Sequence, residues 1–148
     1  MVCFLIGHRD AGEWLMPRLK QEILRHIVEC GVTEFVVGQY GAFDRMAARA
    51  VIDAKRRYPE VKLSILLPYH PSERAVQAPD GYDNTIYPPG METVPRRVAI
   101  VRANEYMIQH CDCLIAYAWQ PGSNTLRLLK MAQRGQRVRI TELGEYDR

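Results

Sequence analysis

No run of apolar residues in this 148-residue chain is long enough to cross a bilayer, and no basic stretch followed by a long apolar one opens it. A spanning helix needs about 20 consecutive apolar residues. The pattern argues against a membrane partner and against a secretory leader, and it predicts a cytoplasmic protein. Cysteine is scarce, with Cys3, Cys30, Cys111 and Cys113 only. No pair has metal-ligand spacing, Cys111-Asp112-Cys113 being a weak signal, so no metal is expected and the thiols read as free in a reducing compartment. Charge of one sign is also lacking: 20 basic residues face 17 acidic ones, a formal net charge of +3. A nucleic-acid footprint calls for a denser basic stripe with exposed aromatics, so the composition argues against a nucleic-acid partner. The three-glycine dinucleotide fingerprint, internal repeats and low-complexity segments are all missing, and no cofactor is implied.

Hydrophobic content of 47% and charged content of 25% suit a globular protein. The length suits one domain over 1–148 with one core. Strands alternate with helices. Val2-Cys3-Phe4-Leu5-Ile6 is apolar at every position, which suits a central parallel strand covered on both faces. A helix follows over 13–30, with Trp14, Leu15, Leu19, Ile23, Leu24, Ile27 and Val28 as its apolar stripe and Gly31 as its stop. Strand two is Glu34-Phe35-Val36-Val37, with a helix over 45–57. Strand three covers 62–67. An excursion over 68–95, rich in Pro, Gly, Tyr and Asp, reads as an ordered lid, since loops of that length are usually functional. A helix over 96–110, a strand over 113–118, a helix from Leu126 that Gly135 ends, and a strand over 138–140 complete the chain. The fold class is α/β, a Rossmann-like three-layer sandwich with a five-stranded parallel sheet in the order 3-2-1-4-5. Strands one and four then meet at the topological switch point, where open sheets of this kind bind ligands.

Three turns fall at the C-terminal ends of those strands. After strand one come Gly7-His8-Arg9-Asp10. After strand two come Gly38-Gln39-Tyr40-Gly41-Ala42-Phe43-Asp44, in which the two glycines expose backbone N–H groups and Asp44 either caps a helix or holds a ribose hydroxyl. After strand four come Trp119-Gln120-Pro121-Gly122-Ser123-Asn124-Thr125. A helix N-terminus offers unpartnered amides and a partial positive charge, so such turns suit phosphate. Each turn also has a plainer reading. His8 is a satisfied structural histidine, Arg9 a solvated charge, and Ser123 an ordinary cap. Convergence of all three at one sheet edge favours the ligand site.

Gly7-His8-Arg9, the pattern Gly38-x-x-Gly41-x-Phe43-Asp44-x-x-Ala47-Ala48, and Asn104-x-x-Met107 before Asp112-x-Leu114-Ile115-Ala116 resemble the SLOG superfamily. That superfamily joins the Smf/DprA proteins and the LOG phosphoribohydrolases, and the branch most similar here is that of small YpsA-like bacterial proteins. The resemblance covers nearly the whole chain. It implies a Rossmann-like sheet, a nucleotide or nucleotide-derived ligand, and often a homodimer. LOG enzymes carry a Pro-Gly-Gly-x-Gly-Thr turn followed by a glutamate that assists N-glycosidic cleavage. Here Leu126-Arg127-Leu128 follows the turn, with no carboxylate in that place, and Ala103 falls near the position of the LOG arginine, between Arg102 and Asn104.

The first reading is therefore a binding module. Gly7, His8, Arg9, Gly38, Gly41, Phe43, Asp44, Trp119, Gly122, Ser123, Asn124 and Thr125 form the ligand site, with Arg9 on phosphate. His70, Glu73, Tyr82 and Asp83 are the lid candidates. The alternative is an N-glycosidase acting on a nucleoside monophosphate, which needs a carboxylate at the ribose. Asp10, Asp44, Glu73, Asp83 and Glu92 are the candidates. A third reading, a regulatory partner protein, rests on family analogy alone.

Overall fold

The computed structural model describes residues 1–144. Six strands, all parallel, make one sheet in the order β4-β3-β2-β1-β5-β6. They are β1 (Val2–Gly7), β2 (Glu34–Val37), β3 (Lys62–Leu66), β4 (Asn84–Ile86), β5 (Cys113–Tyr117) and β6 (Arg139–Glu142). Four α-helices connect them: α1 (Met16–Cys30), α2 (Ala42–Lys55), α3 (Ala99–His110) and α4 (Asn124–Gly135). Among the described residues no helix is long and apolar enough to cross a membrane.

The alternation of side chains along each strand divides the core in two. Phe35, Leu63, Ile65 and Ile115 face α1 and α2, joined by Leu19, Ile23, Met46 and Val51. Phe4, Val36, Leu66 and Leu114 face the other way, against Ala103, Met107, Leu128 and Leu129 of α3 and α4. Burial on both faces is why β1 and β5 read as unbroken apolar runs. Helix α2 meets the sheet through Ala47, Ala48, Ala50 and Ala54, whose small side chains allow a close approach. The apolar stripe expected of this helix is buried or partly buried except at Trp14, which lies ahead of α1 and is 39% exposed, and at Val28, which is 64% exposed.

Five of the strands stand in the expected order. The sixth, β4, comes out of the 68–95 excursion and was not foreseen, because Asn84-Thr85-Ile86 is short and largely exposed. To run parallel to β3 the chain must first return to the far end of the sheet. It does so across the α2 face, where Val76 and Ala78 pack on the core. It re-enters at Asp83, whose carboxylate accepts the Leu63 N–H and pairs with Lys55. The excursion is thus a crossover with an edge strand.

Element boundaries differ from expectation by short steps. Residues Glu13–Leu15 form a 3-10 turn before α1, and α2 begins three residues before the expected Arg45. Ser123 caps α4, its hydroxyl accepting the Leu126 N–H at 3.1 Å. At the other end of α4, Gln136 rather than Gly135 takes the left-handed conformation, at φ 54°.

The early start of α2 turns Phe43 inward, fully buried, against the end of β1. A Cβ on Gly7 would lie 2.1 Å from the Phe43 ring, an overlap that neither group can relieve without moving α2. Overpacking of this kind costs about 1–3 kcal/mol, so Gly7→Ala is expected to lose at least that much in urea denaturation. Adding Phe43→Leu should restore part of the loss, and strictly additive effects would refute the contact.

Candidate functional site

The cavity at the sheet edge is built from the ends of β1, β2 and β5. It has a volume of about 510 Å³, within the range of roughly 300–1,000 Å³ usual for small-molecule sites. Its lining includes Phe4, Leu5 and Ile6 of β1, Leu66 of β3 and Pro68 just past it, and Ile100, Val101, Ala103 and Asn104 of α3. It therefore lies on the α3/α4 side of the sheet, beside the switch point between β1 and β5.

The β1 and β5 ends are locked together by His8. Its Nε2 accepts the backbone N–H groups of Trp119 at 3.0 Å and Gln120 at 3.2 Å. Two donors on one ring nitrogen require that nitrogen to be unprotonated, so the ring is neutral with its proton on Nδ1. The imidazole is 4% exposed, and burial pushes its pKa down, with Asp10 pulling weakly the other way. Tyr117 and Trp119 close around it edge-on, at 5.3 and 5.6 Å between ring centres. Gln120 adds a second tie, donating from Nε2 to Asp10 at 3.3 Å.

The β2 turn is fastened to the β1 turn by backbone. The Ala42 N–H donates to the Arg9 carbonyl at 2.9 Å. Gly41 has φ 125°, and a Cβ there would sit 2.8 Å from the Arg9 Cα, so only glycine fits. Gly38 leaves room for the Asp44 carboxyl, since a Cβ would lie 2.7 Å from Oδ2. Asp44 stands in the first turn of α2 and its Oδ2 accepts the Tyr40 N–H at 3.0 Å. Burial pushes the Asp44 carboxyl up to about 7, against the lowering pull of that amide and of Arg9 and Arg45. A carboxyl that changes charge near neutrality at a cavity wall is a group suited to proton transfer.

At the β5 side, Ser123, Asn124 and Thr125 line the cavity. The Ser123 hydroxyl is consumed by its cap and by donating to the Gln120 carbonyl at 2.8 Å. The Asn124 and Thr125 amides make no hydrogen bond within the described residues, so the open donors of α4 belong to them.

Eight of the twelve expected ligand residues line this cavity: Gly7, His8, Arg9, Gly38, Asp44, Ser123, Asn124 and Thr125. The other four do not. Phe43 is core, Gly41 and Gly122 shape turns, and Trp119 packs on the α1/α2 side beside Tyr117. The Trp119 indole Nε1 is the sole buried side-chain nitrogen or oxygen without a hydrogen bond among the described residues. The lid candidates also lie outside the lining. Tyr82 and Asp83 belong to the opposite end of the sheet, where β4 begins, for the topological reason given above. His70 and Glu73 lie past β3, bonded to Ser72 and Arg96 respectively. Of the carboxylate candidates, Asp10 and Asp44 line the cavity and Glu73, Asp83 and Glu92 do not. Tyr40, Asn104 and Gln120 are lining residues not singled out as ligands. Tyr40 is signalled by its place between Gly38 and Gly41.

No protein family model matches the chain, and no curated protein matches it in sequence. Solved structures do share its fold. DNA processing protein A (DprA) from Streptococcus pneumoniae superposes with a TM-score of 0.69 at 16% identity, over 95% of this chain and 49% of that one. DprA from Helicobacter pylori, described for its unique single-stranded DNA binding mode, gives 0.63 at 17% identity, over 96% and 64%. The chain thus spans about half to two thirds of the length of these neighbours. The likeness shows that the chain shares the Rossmann-like α/β fold of these neighbours, and at such identity the fold alone.

The His8 lock makes a pH prediction. A histidine whose folded pKa lies below its ordinary 6.5 contributes stability that is complete above that value and is lost as pH falls through the folded one. Replacing His8 with Leu leaves two half-buried amides without their acceptor, a loss of about 1–3 kcal/mol each at most. Urea midpoints at pH 7.5 and 5.0 should show the gap between wild type and His8→Leu shrinking at the lower pH. A gap independent of pH would sink this account. His26, whose pKa is also pushed down by burial, is common to both proteins and cancels in the comparison.

Proposed function

We propose that the cavity binds a nucleotide or nucleotide-derived anion. One observation carries this reading: the exposed Arg9, the open Asn124 and Thr125 amides and the end of β1 meet around a single cavity. Phosphate is the group that such an arrangement recognises, through a charge-assisted contact to a guanidinium and amide donors at a helix start. The apolar wall of Ile100, Val101 and Leu128 suits a base, and Asn104 offers it a hydrogen-bonding edge. The fold neighbour that binds single-stranded DNA supports a phosphodiester ligand equally, so both belong in the test.

Thermal unfolding with a panel of mononucleotides, ADP-ribose and a short single-stranded oligonucleotide checks the proposal. Saturation at 100 times Kd adds about 2.7 kcal/mol of stability. Arg9→Gln is expected to weaken binding by about tenfold or more while leaving the unliganded melting point in place. No shift by any of these at millimolar concentration would overturn the reading.

A second reading, cleavage of an N-glycosidic bond, is favoured by Asp44 and Asp10 on the same cavity. Asp44, partly protonated at neutral pH, is placed to act as general acid toward a departing base, and Asp10 to stabilise positive charge at the ribose or activate water. Release of free base from a nucleoside monophosphate would then fall as pH rises through about 7, and Asp44→Asn would abolish it. Chromatography that detects no free base after prolonged incubation removes this reading and leaves binding intact.

A further inference from the structure

On the other side of the 39–42 turn lies a second cavity of about 520 Å³. Helix α2 supplies Ala42, Arg45 and Arg49, the β3–β4 crossover supplies Gln77, Ala78 and Pro79, and Glu13 and Gln39 complete it. No residue lines both cavities: Gly38, Tyr40 and Asp44 face the first, and Gln39, Ala42 and Arg45 the second.

We propose that this second cavity binds a small organic carboxylate with a compact apolar body. The charge count sets the class. Arg49 is paired with Glu13, which neutralises both. Arg45 has no carboxylate in ion-pair contact among the described residues, so the lining carries a net positive charge, matched by a monoanion. A second, buried group points to the same chemistry. Gln39 is 8% exposed, and its Oε1 accepts the Gln77 N–H at 2.7 Å, which fixes the orientation of the amide. Its Nε2 has two hydrogens and reaches only the Tyr40 hydroxyl, at 3.4 Å. One donor therefore remains open on a side chain held rigidly at the wall. A guanidinium and an amide N–H together fit the two oxygens of a carboxylate, and Ala42, Ala78 and Pro79 supply an apolar surface for its body. Burying an unpaired polar donor is unfavourable, and a bound oxygen removes that cost.

Chemical-shift titration of the full chain with benzoate tests the site, with benzyl alcohol as neutral control and phenyl phosphate as dianion. Benzoate is expected to give saturable shifts at the Gln39 side-chain amide and the Gln77 and Ala78 backbone amides. The amides of Gly7, Asn124 and Thr125 should stay in place. Arg45→Gln should weaken benzoate about tenfold or more, and Arg45→Lys less, with Arg9→Gln having no effect. Benzyl alcohol should bind at least about tenfold more weakly than benzoate. Non-saturating shifts, shifts confined to the first cavity, or indifference to Arg45→Gln would each overturn the proposal. Tighter binding of phenyl phosphate than of benzoate would overturn the assignment to a monoanion.

Discussion

The arrangement of the turns at the C-terminal edge of the sheet depends on one imidazole kept uncharged. The ends of β1 and β5 are neighbours in the sheet but lie 110 residues apart in sequence, and each leads to a helix on a different face. Chains that diverge in this way leave a crevice between them and backbone donors at its wall. His8 takes two of those donors on Nε2 and holds the β5 turn at a set distance from β1. The aromatic packing of Tyr117 and Trp119 keeps water from the ring and favours its neutral form. The β2 turn is then fixed relative to β1 by the Arg9 carbonyl and by a glycine that no other residue can replace without collision. The three turns are thus positioned by direct bonds between them, and the cavity is largely preformed.

The sheet was legible in the sequence because burial on both faces writes itself as unbroken apolar strands. Val2 to Ile6 and Cys113 to Ala118 could not be amphipathic surface segments. The turns were legible because Gly, Ser and Asn at strand ends have few other uses. What escaped was geometry that composition does not encode. Phe43 sits in a stretch that reads as a turn, yet α2 begins one residue earlier and rotates the ring into the core. Tyr82 and Asp83 read as lid residues because the excursion leaves the top of β3. A parallel edge strand forces its path back to the bottom, and a three-residue strand leaves no hydrophobic signature to announce that. His8 could be read as ligand or as strut, and the structure shows which bonds its ring makes.

The departure from the LOG pattern has a structural counterpart. Where those enzymes place a glutamate after the phosphate turn, this chain places Leu126 and Arg127, and Arg127 is engaged with Glu105 of α3. The carboxyls that reach the cavity come instead from the β1 and β2 turns. Asp44 is held there by a backbone amide and by the space above Gly38, and its raised pKa follows from that recessed position. The titratable carboxyls of this cavity therefore stand on the β1 and β2 turns, and none follows the β5 turn. The β2 turn is also the partition between two hollows of similar size.

The short outer strand β4 has an effect beyond topology. Without it, the five residues of β3 would present a row of unpaired carbonyls and amides to solvent, a template for strand addition by another chain. With it, the outermost ladder is only three residues long, and Pro88 and Pro89 follow close behind. Proline has no N–H to offer, so an incoming strand finds little to grip. The excursion thereby shields the sheet from polymerisation along that margin.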